Sequence, residues 1–199
     1  MPRAMRSSPS LPIAEHSLAL DRVPILFHFG GMSDSPVIES AERATGSETA
    51  VDVARGIARL FARNDVWLIP EVPLRNGRRA DLMGLDNKGR VVIVEIKVQR
   101  GDLLGDGKWP DYLDHCDRFY WAVPPALDRS PLEGDGYRPD CCGIIVADAY
   151  DAEIIRPAPL HPIAAATRKV EVERLSRAAM RRLTVAGDPD CSPWGQTLG

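Results

Sequence analysis

At 199 residues, with 44% hydrophobic and 27% charged residues, the chain has material for one globular domain of ordinary size. A formal net charge of -3 argues against a protein that coats nucleic acid by bulk charge, although a local basic patch could still hold a phosphate backbone. No run approaches the roughly 20 apolar residues of a membrane span. The four cysteines, Cys116, Cys141, Cys142 and Cys191, show no metal-ligand spacing and read as reduced thiols of a cytoplasmic protein.

Residues 1–46 scatter Pro, Ser and Gly without a sustained period and read as an unstructured arm. Their most apolar stretch, 18–29, is broken by Asp21, Arg22 and Pro24, so it makes neither a span nor a convincing signal peptide. Met32, followed by Ser33, Asp34 and Ser35, is a candidate for the true translation start. The folded domain is expected over 47–185, with a tail at 186–199.

Thr49 is a good N-cap with Asp52 three residues on, and Val53, Ile57, Leu60 and Phe61 recur at helical spacing, which predicts a helix to about Asn64. Residues 66–74 read as a strand that Pro70 and Pro73 confine to an edge or make irregular. After a turn at 75–78 comes a short strand carrying Asp81. The Asp86, Asn87 and Gly89 turn chemistry joins it to a second strand over 90–98. Helical content over 102–116 is interrupted by Gly105, Gly107 and Pro110, with a helix expected to start near Trp109. Strands at 119–123, 143–147 and 152–156 and a long helix over 163–183 complete the domain.

The strand over 90–98 carries the chemistry. Side chains alternate along a strand, so Val91, Ile93, Glu95 and Lys97 share one face and Val92, Val94, Ile96 and Val98 the other. Two charges end an otherwise apolar run, and burying them costs several kcal/mol per ion, roughly, unless they are paired or bound to metal. The preceding hairpin can bring Asp81 beside Glu95. Two carboxylates and a lysine at adjacent strand ends suit a hard dication such as magnesium, with manganese as its substitute, and Lys97 supplies balancing charge. Glu-x-Lys alone arises by chance about once in a few hundred residues. A structural ion pair would explain Glu95 with Lys97 but leaves Asp81 needing another partner.

Asp81, Glu95 and Lys97 at this spacing resemble the PD-(D/E)xK nuclease superfamily, although Ala80 stands where its proline is usual. The longer string P-E-V-P-L, R-R-A-D-L-M, V-V-I-V-E-I-K and D-L-L-G-D-G-K-W-P-D-Y-L-D-H-C-D-R-F-Y-W-A-V-P is similar to the MmcB family of bacterial DNA-repair proteins over about 49–183. The resemblance implies an α/β fold with a restriction-endonuclease-like αβββαβ core, a central mixed sheet flanked by helices. It implies a magnesium-dependent DNA endonuclease acting in repair, leaving a 5′-phosphate and a 3′-hydroxyl; the alternative is a non-cleaving DNA-binding repair factor with the same fold. On the nuclease reading Asp81, Glu95 and the backbone carbonyl of Ile96 hold the metal. Lys97 orients a water or neutralises the transition state.

Glu71 could be a further metal ligand, or merely an exposed strand-end acid. Lys108 and Tyr112, four apart, would share a helical face if one helix included both, which resembles the Gln-x-x-x-Tyr element of RecB-like nucleases; with lysine in place of glutamine, the resemblance implies phosphate contact alone. Arg78 and Arg79, with Arg75, Lys88, Arg90 and Arg100, flank the acids and could hold a duplex backbone. The arginines of the last helix, Arg168, Arg174, Arg177, Arg181 and Arg182, are diluted by Glu171 and Glu173 and read as a solvated face. DNA is the expected partner, with no membrane and no small-molecule cofactor; pairing of two copies as a homodimer is left open.

Overall fold

The computed structural model describes residues 48–191. The arm at 1–46 and the candidate start at Met32 lie outside the described residues. The first helix, α1 (Ala50–Arg63), starts at the expected cap: the Thr49 hydroxyl accepts the Asp52 amide and the Asp52 carboxylate accepts the Thr49 amide. Its buried stripe of Val53, Ile57 and Phe61 lies on the sheet. Gly56 faces the turn at 148–151, where an added Cβ would meet the Asp148 and Asp151 carbonyl oxygens at 2.4 Å, so the absence of a side chain lets α1 approach.

Six strands follow in chain order across one sheet: β1 (Trp67–Pro73), β2 (Arg79–Leu85), β3 (Val91–Ile96), β4 (Arg118–Val123), β5 (Cys142–Ala147) and β6 (Ala152–Arg156). β1, β2 and β3 pair antiparallel, β3, β4 and β5 parallel, and β6 returns antiparallel to β5. Between β3 and β4 run a short helix, α2 (Arg100–Gly105), and a 3-10 helix at Trp109–His115; the last helix is α3 (Ala165–Gly187). The observed succession α1, β1, β2, β3, α2, β4 is the expected αβββαβ core of an α/β fold with a mixed sheet flanked by helices. α3 extends past 185, to Gly187.

All six residues of β3 are buried, as a central strand requires. Val92, Val94 and Ile96 face α1, whereas Val91 and Ile93 join Trp109, Tyr112, Phe119, Trp121 and Leu175 on the opposite face. Trp109 is therefore core, edge-on to Trp121 with ring centroids 5.4 Å apart.

The arginines of α3 are not uniformly solvated. Arg168 binds the buried Asp117 carboxylate, Arg174 binds the buried Glu171 and the Pro73 carbonyl, and Arg182 reaches the Pro70 and Glu71 carbonyls. This inward half contradicts a solvated face, because α3 covers β1 and β2 with the side carrying Arg168, Glu171, Leu175 and Arg182. Glu171 also meets His115 Nδ1 at 2.9 Å, which gives that histidine a structural partner.

Asp117, fully buried, accepts the Val91 and Ile163 amides at 2.8 and 3.0 Å as well as Arg168. These bonds hold its carboxyl below the ordinary aspartate range against the opposing effect of burial. Asp117→Ala removes the partner of the buried Val91 amide, of the part-buried Ile163 amide and of the Arg168 guanidinium, which keeps only the Ile163 carbonyl. Chemical denaturation should show a loss of about 3 kcal/mol or more; a loss under about 1 kcal/mol would mean that α3 docks without it.

Candidate active site

β2 and β3 are paired from Leu85 with Val91 to Leu82 with Val94, and the regular ladder stops there. The next residues across the gap are Asp81 and Glu95. Their side chains replace the ladder: the Ile96 amide donates to Asp81 Oδ2 at 2.8 Å, and the Asp81 amide donates to Glu95 Oε1 at 3.3 Å. The two carboxylates thus interlock with each other's strand, and one oxygen of each makes no backbone bond among those described. The hairpin brings Asp81 and Glu95 together.

Lys97, just past the end of β3, is 7% exposed. Its Nζ lies 3.9 Å from Glu95 Oε2, 3.8 Å from Asp102 Oδ1 and 2.8 Å from Asp106 Oδ2, and 6.0 Å from the Trp121 ring centroid. Asp106 is the shortest partner, a role that its residue type and position in the sequence do not announce. The available signal was the spacing of Asp102 and Asp106, four apart, in the segment following the charged strand. Burial disfavours the Lys97 cation, but the hydrogen bond and charge of Asp106, with Glu95 and Asp102, outweigh it and raise the pKa.

The acids are pushed the other way from ionisation. Burial, and then the Asp81 charge, raise Glu95 to about 8 despite Lys97. Burial likewise raises Asp81, against the Ile96 amide and Lys97, with Glu71 and Asp102 adding to the rise. Asp81, Glu95, Asp102 and Asp106 gather around one lysine, so carboxylates outnumber the cation, and burial together with this excess favours the protonated form of the inner pair.

Glu71 occupies the place opposite Asp81 in the β1–β2 register, between the pairs Pro70 with Leu82 and Val72 with Ala80. Its φ of 51° puts it in the left-handed region, uncommon for a residue with a side chain. The alternation of faces breaks there: Ile69 and Met83 share a face with Val72 and Ala80, while Leu82 lies on the other. Strand parity with Trp67 and Ile69 therefore does not carry through to Glu71. Its carboxylate is paired with Arg79 Nε at 2.5 Å.

Lys108 and Tyr112 do not share a helical face. The helix is 3-10, in which residues three apart eclipse, so Tyr112 aligns with the core residue Trp109 and exposed Lys108 stands at the cap. Tyr112 is 7% exposed, donates its hydroxyl to the Arg79 carbonyl at 3.1 Å and stacks on Phe119. It braces the start of β2 from within the core. Burial and the neighbouring Glu95 and Asp81 charges raise its pKa.

The basic residues divide between two ends of the hairpin. Arg75, Arg78 and Arg79 adjoin the acids, with Arg78 making two 3.0 Å bonds to Asp111, while Arg100 binds Asp128 at the start of α2. Lys88 and Arg90 lie at the far turn, beyond the length of β2, roughly 20 Å at the usual strand rise. They do not flank the acids, because turns at the two ends of one strand cannot meet.

The site sits at the carboxyl ends of parallel β3 and β4, where α/β sheets commonly bind ligands. Among the described residues no group of three or more His, Cys, Asp or Glu converges on a point that could hold a metal ion. Two carboxylates with open oxygens still fit magnesium, which keeps several waters and takes one or two protein carboxylates. No helix among the described residues is long and apolar enough to cross a membrane.

The sequence model of the family described as "DNA repair protein MmcB-like" matches residues 37–190, which include every residue of this site. The chain belongs to the MmcB-like family of DNA repair proteins. Among solved structures, a protein of unknown function from Silicibacter pomeroyi is similar to this MmcB-like chain at 39% identity, over 70% of this chain and 91% of its own, with a TM-score of 0.63. A repair endonuclease from Pyrococcus abyssi aligns at 20% identity over 56% of this chain and 49% of its own, with a TM-score of 0.32, a likeness too distant to bear on function. No curated protein matches the MmcB-like chain.

The raised Glu95 pKa makes stability pH-dependent. The folded state binds this proton more tightly than the unfolded chain, so the stabilisation is complete below the ordinary glutamate pKa of about 4.3 and is lost as the pH rises through about 8. In calorimetric scans without divalent salts, the wild-type midpoint should fall across that window. Glu95→Gln, which cannot ionise, should reduce the slope and be the more stable protein at pH 8. Parallel slopes for the two would show that Glu95 is ionised throughout.

Proposed function

We propose that this MmcB-like protein is a magnesium-dependent DNA endonuclease that hydrolyses a phosphodiester bond during repair. The observation that carries the reading is the convergence of Asp81, Glu95 and Lys97 at one strand end, with an excess of negative charge. Asp81 and Glu95 would hold the dication, magnesium or manganese, with the Ile96 carbonyl, and Glu71 would act on it through a bound water and not as a third direct carboxylate. When bound, the ion would supply Lewis acidity toward a water and a phosphate oxygen.

The chain's own residues have separable tasks. Lys97, kept cationic by its acids, stands beside the carboxylate pair and can orient a water or offset charge growing on phosphate. Asp106 fixes the direction of that ammonium. Arg78, Arg79 and Lys108 lie around the same end of the sheet and would contact the DNA backbone, although Arg78 and Arg79 must first release Asp111 and Glu71. Tyr112 supports the site through the Arg79 carbonyl and does not meet the DNA.

The test is metal-dependent cleavage of branched, mismatched, nicked and plain DNA by wild type beside Asp81→Asn, Glu95→Gln and Lys97→Ala. Each substitution should cost about a hundredfold or more in rate with DNA retention largely kept. Equal activity in all four proteins would end the assignment. Retention by wild type without cleavage of any substrate, in magnesium or manganese, would favour a non-cleaving DNA-binding repair factor.

A further inference from the structure

We infer that Arg182, on the C-terminal helix, is a positioning residue for the candidate site: it holds Glu71 in its left-handed conformation and so keeps that carboxylate beside Asp81. The inference deepens the nuclease reading and rests on it for its consequence, though not for its geometry.

A residue's φ and ψ are fixed once the peptide planes on both sides of its Cα are fixed. The plane before Glu71 carries the Pro70 carbonyl, and the plane after it carries the Glu71 carbonyl. Arg182 grips both, with Nη1 donating to Pro70 O at 2.5 Å and Nη2 to Glu71 O at 3.0 Å. One planar guanidinium thus clamps the two planes flanking the strained residue. A lysine ammonium lacks that fixed fork.

Local sequence gives no reason for the kink. Glutamate gains nothing from the left-handed region, where glycine and asparagine are favoured, and such strain persists only where the surroundings over-determine it. β1 is the edge strand, so no neighbouring strand on its outer side restrains it. The surroundings that do so are Arg182 at the backbone and Arg79 at the side chain. The kink falls opposite Asp81, where both strands switch faces. A relaxed, extended Glu71 would restore simple alternation and re-aim its carboxylate.

The experiment uses the full chain, isotopically labelled, as wild type, Arg182→Ala, Arg182→Lys, Glu71→Gln and the double variant Arg182→Ala/Glu71→Gln. NMR reads the amide-to-Hα coupling and carbon shifts of Glu71, and electron paramagnetic resonance reads Mn2+ affinity. Arg182→Ala and Arg182→Lys should both move Glu71 to extended values. Arg182→Ala and Glu71→Gln should each weaken Mn2+ binding about tenfold, and the double variant should be no weaker than either single one. Should Arg182→Ala fail to fold, Arg182→Met keeps the aliphatic stem and takes its place. A left-handed Glu71 surviving the loss of Arg182 overturns the inference, as do additive losses of affinity. If wild type binds no Mn2+, the metal-dependent reading fails, and the Glu71 coupling still decides whether Arg182 is the clamp.

Discussion

Between β2 and β3 the backbone ladder gives way to two carboxylates, each accepting an amide at the gap. This exchange is the condition for the rest of the site. Buried backbone amides need partners, and here acids supply them, so Asp81 and Glu95 are held where their mutual repulsion and desolvation are greatest. Releasing either acid would strand an amide, and ionising both without a counter-charge is unfavourable. The resulting tension is met by a retained proton, by Lys97, or by an added cation. Lys97 alone does not resolve it, because Asp106 holds its ammonium on the α2 side.

β3 separates this tension from the interactions that stabilise the fold. At its start, Asp117 takes the Val91 amide, the Ile163 amide and Arg168, tying α3 to the sheet with every strong partner satisfied. At its end, charges remain in excess and the ladder is open. Between the two ends the strand is wholly buried aliphatic surface. The same polar chemistry therefore serves stability at one end and leaves the other incompletely satisfied, and the difference lies in how many partners each carboxylate has.

Much of this arrangement is legible in the residues. The Thr49 and Asp52 cap, the turn between Asp81 and Glu95, and the two-faced apolar run of β3 each follow from local rules, and together they place the acids. Tertiary choices are less legible. The 3-10 form of Trp109–His115 reverses the expected role of Tyr112, because a change from 3.6 to 3.0 residues per turn rotates the side chain into the core. The inward arginines of α3 are hidden because charge counting along a helix does not reveal which carbonyls an edge strand leaves unpaired. The left-handed Glu71 is the hardest to foresee: strand parity assigns it a face, and only a residue 111 positions away in sequence removes it from that face.

The same distance in sequence bears on how the site is controlled. Three carboxylates lie between 2.8 and 3.9 Å from Lys97 Nζ, and Asp81 lies next to that group. A phosphate backbone approaching these charges is repelled unless cations intervene, and the nearby arginines are largely committed: Arg78 to Asp111, Arg79 to Glu71, Arg100 to Asp128. On the nuclease reading these pairs act as a guard, since an arginine can turn to phosphate only by abandoning an acid. For Arg79 the abandoned acid is Glu71, so backbone contact and release of a site carboxylate become one event. On that reading, DNA contact and release of Glu71 would be coupled through the Arg79 side chain.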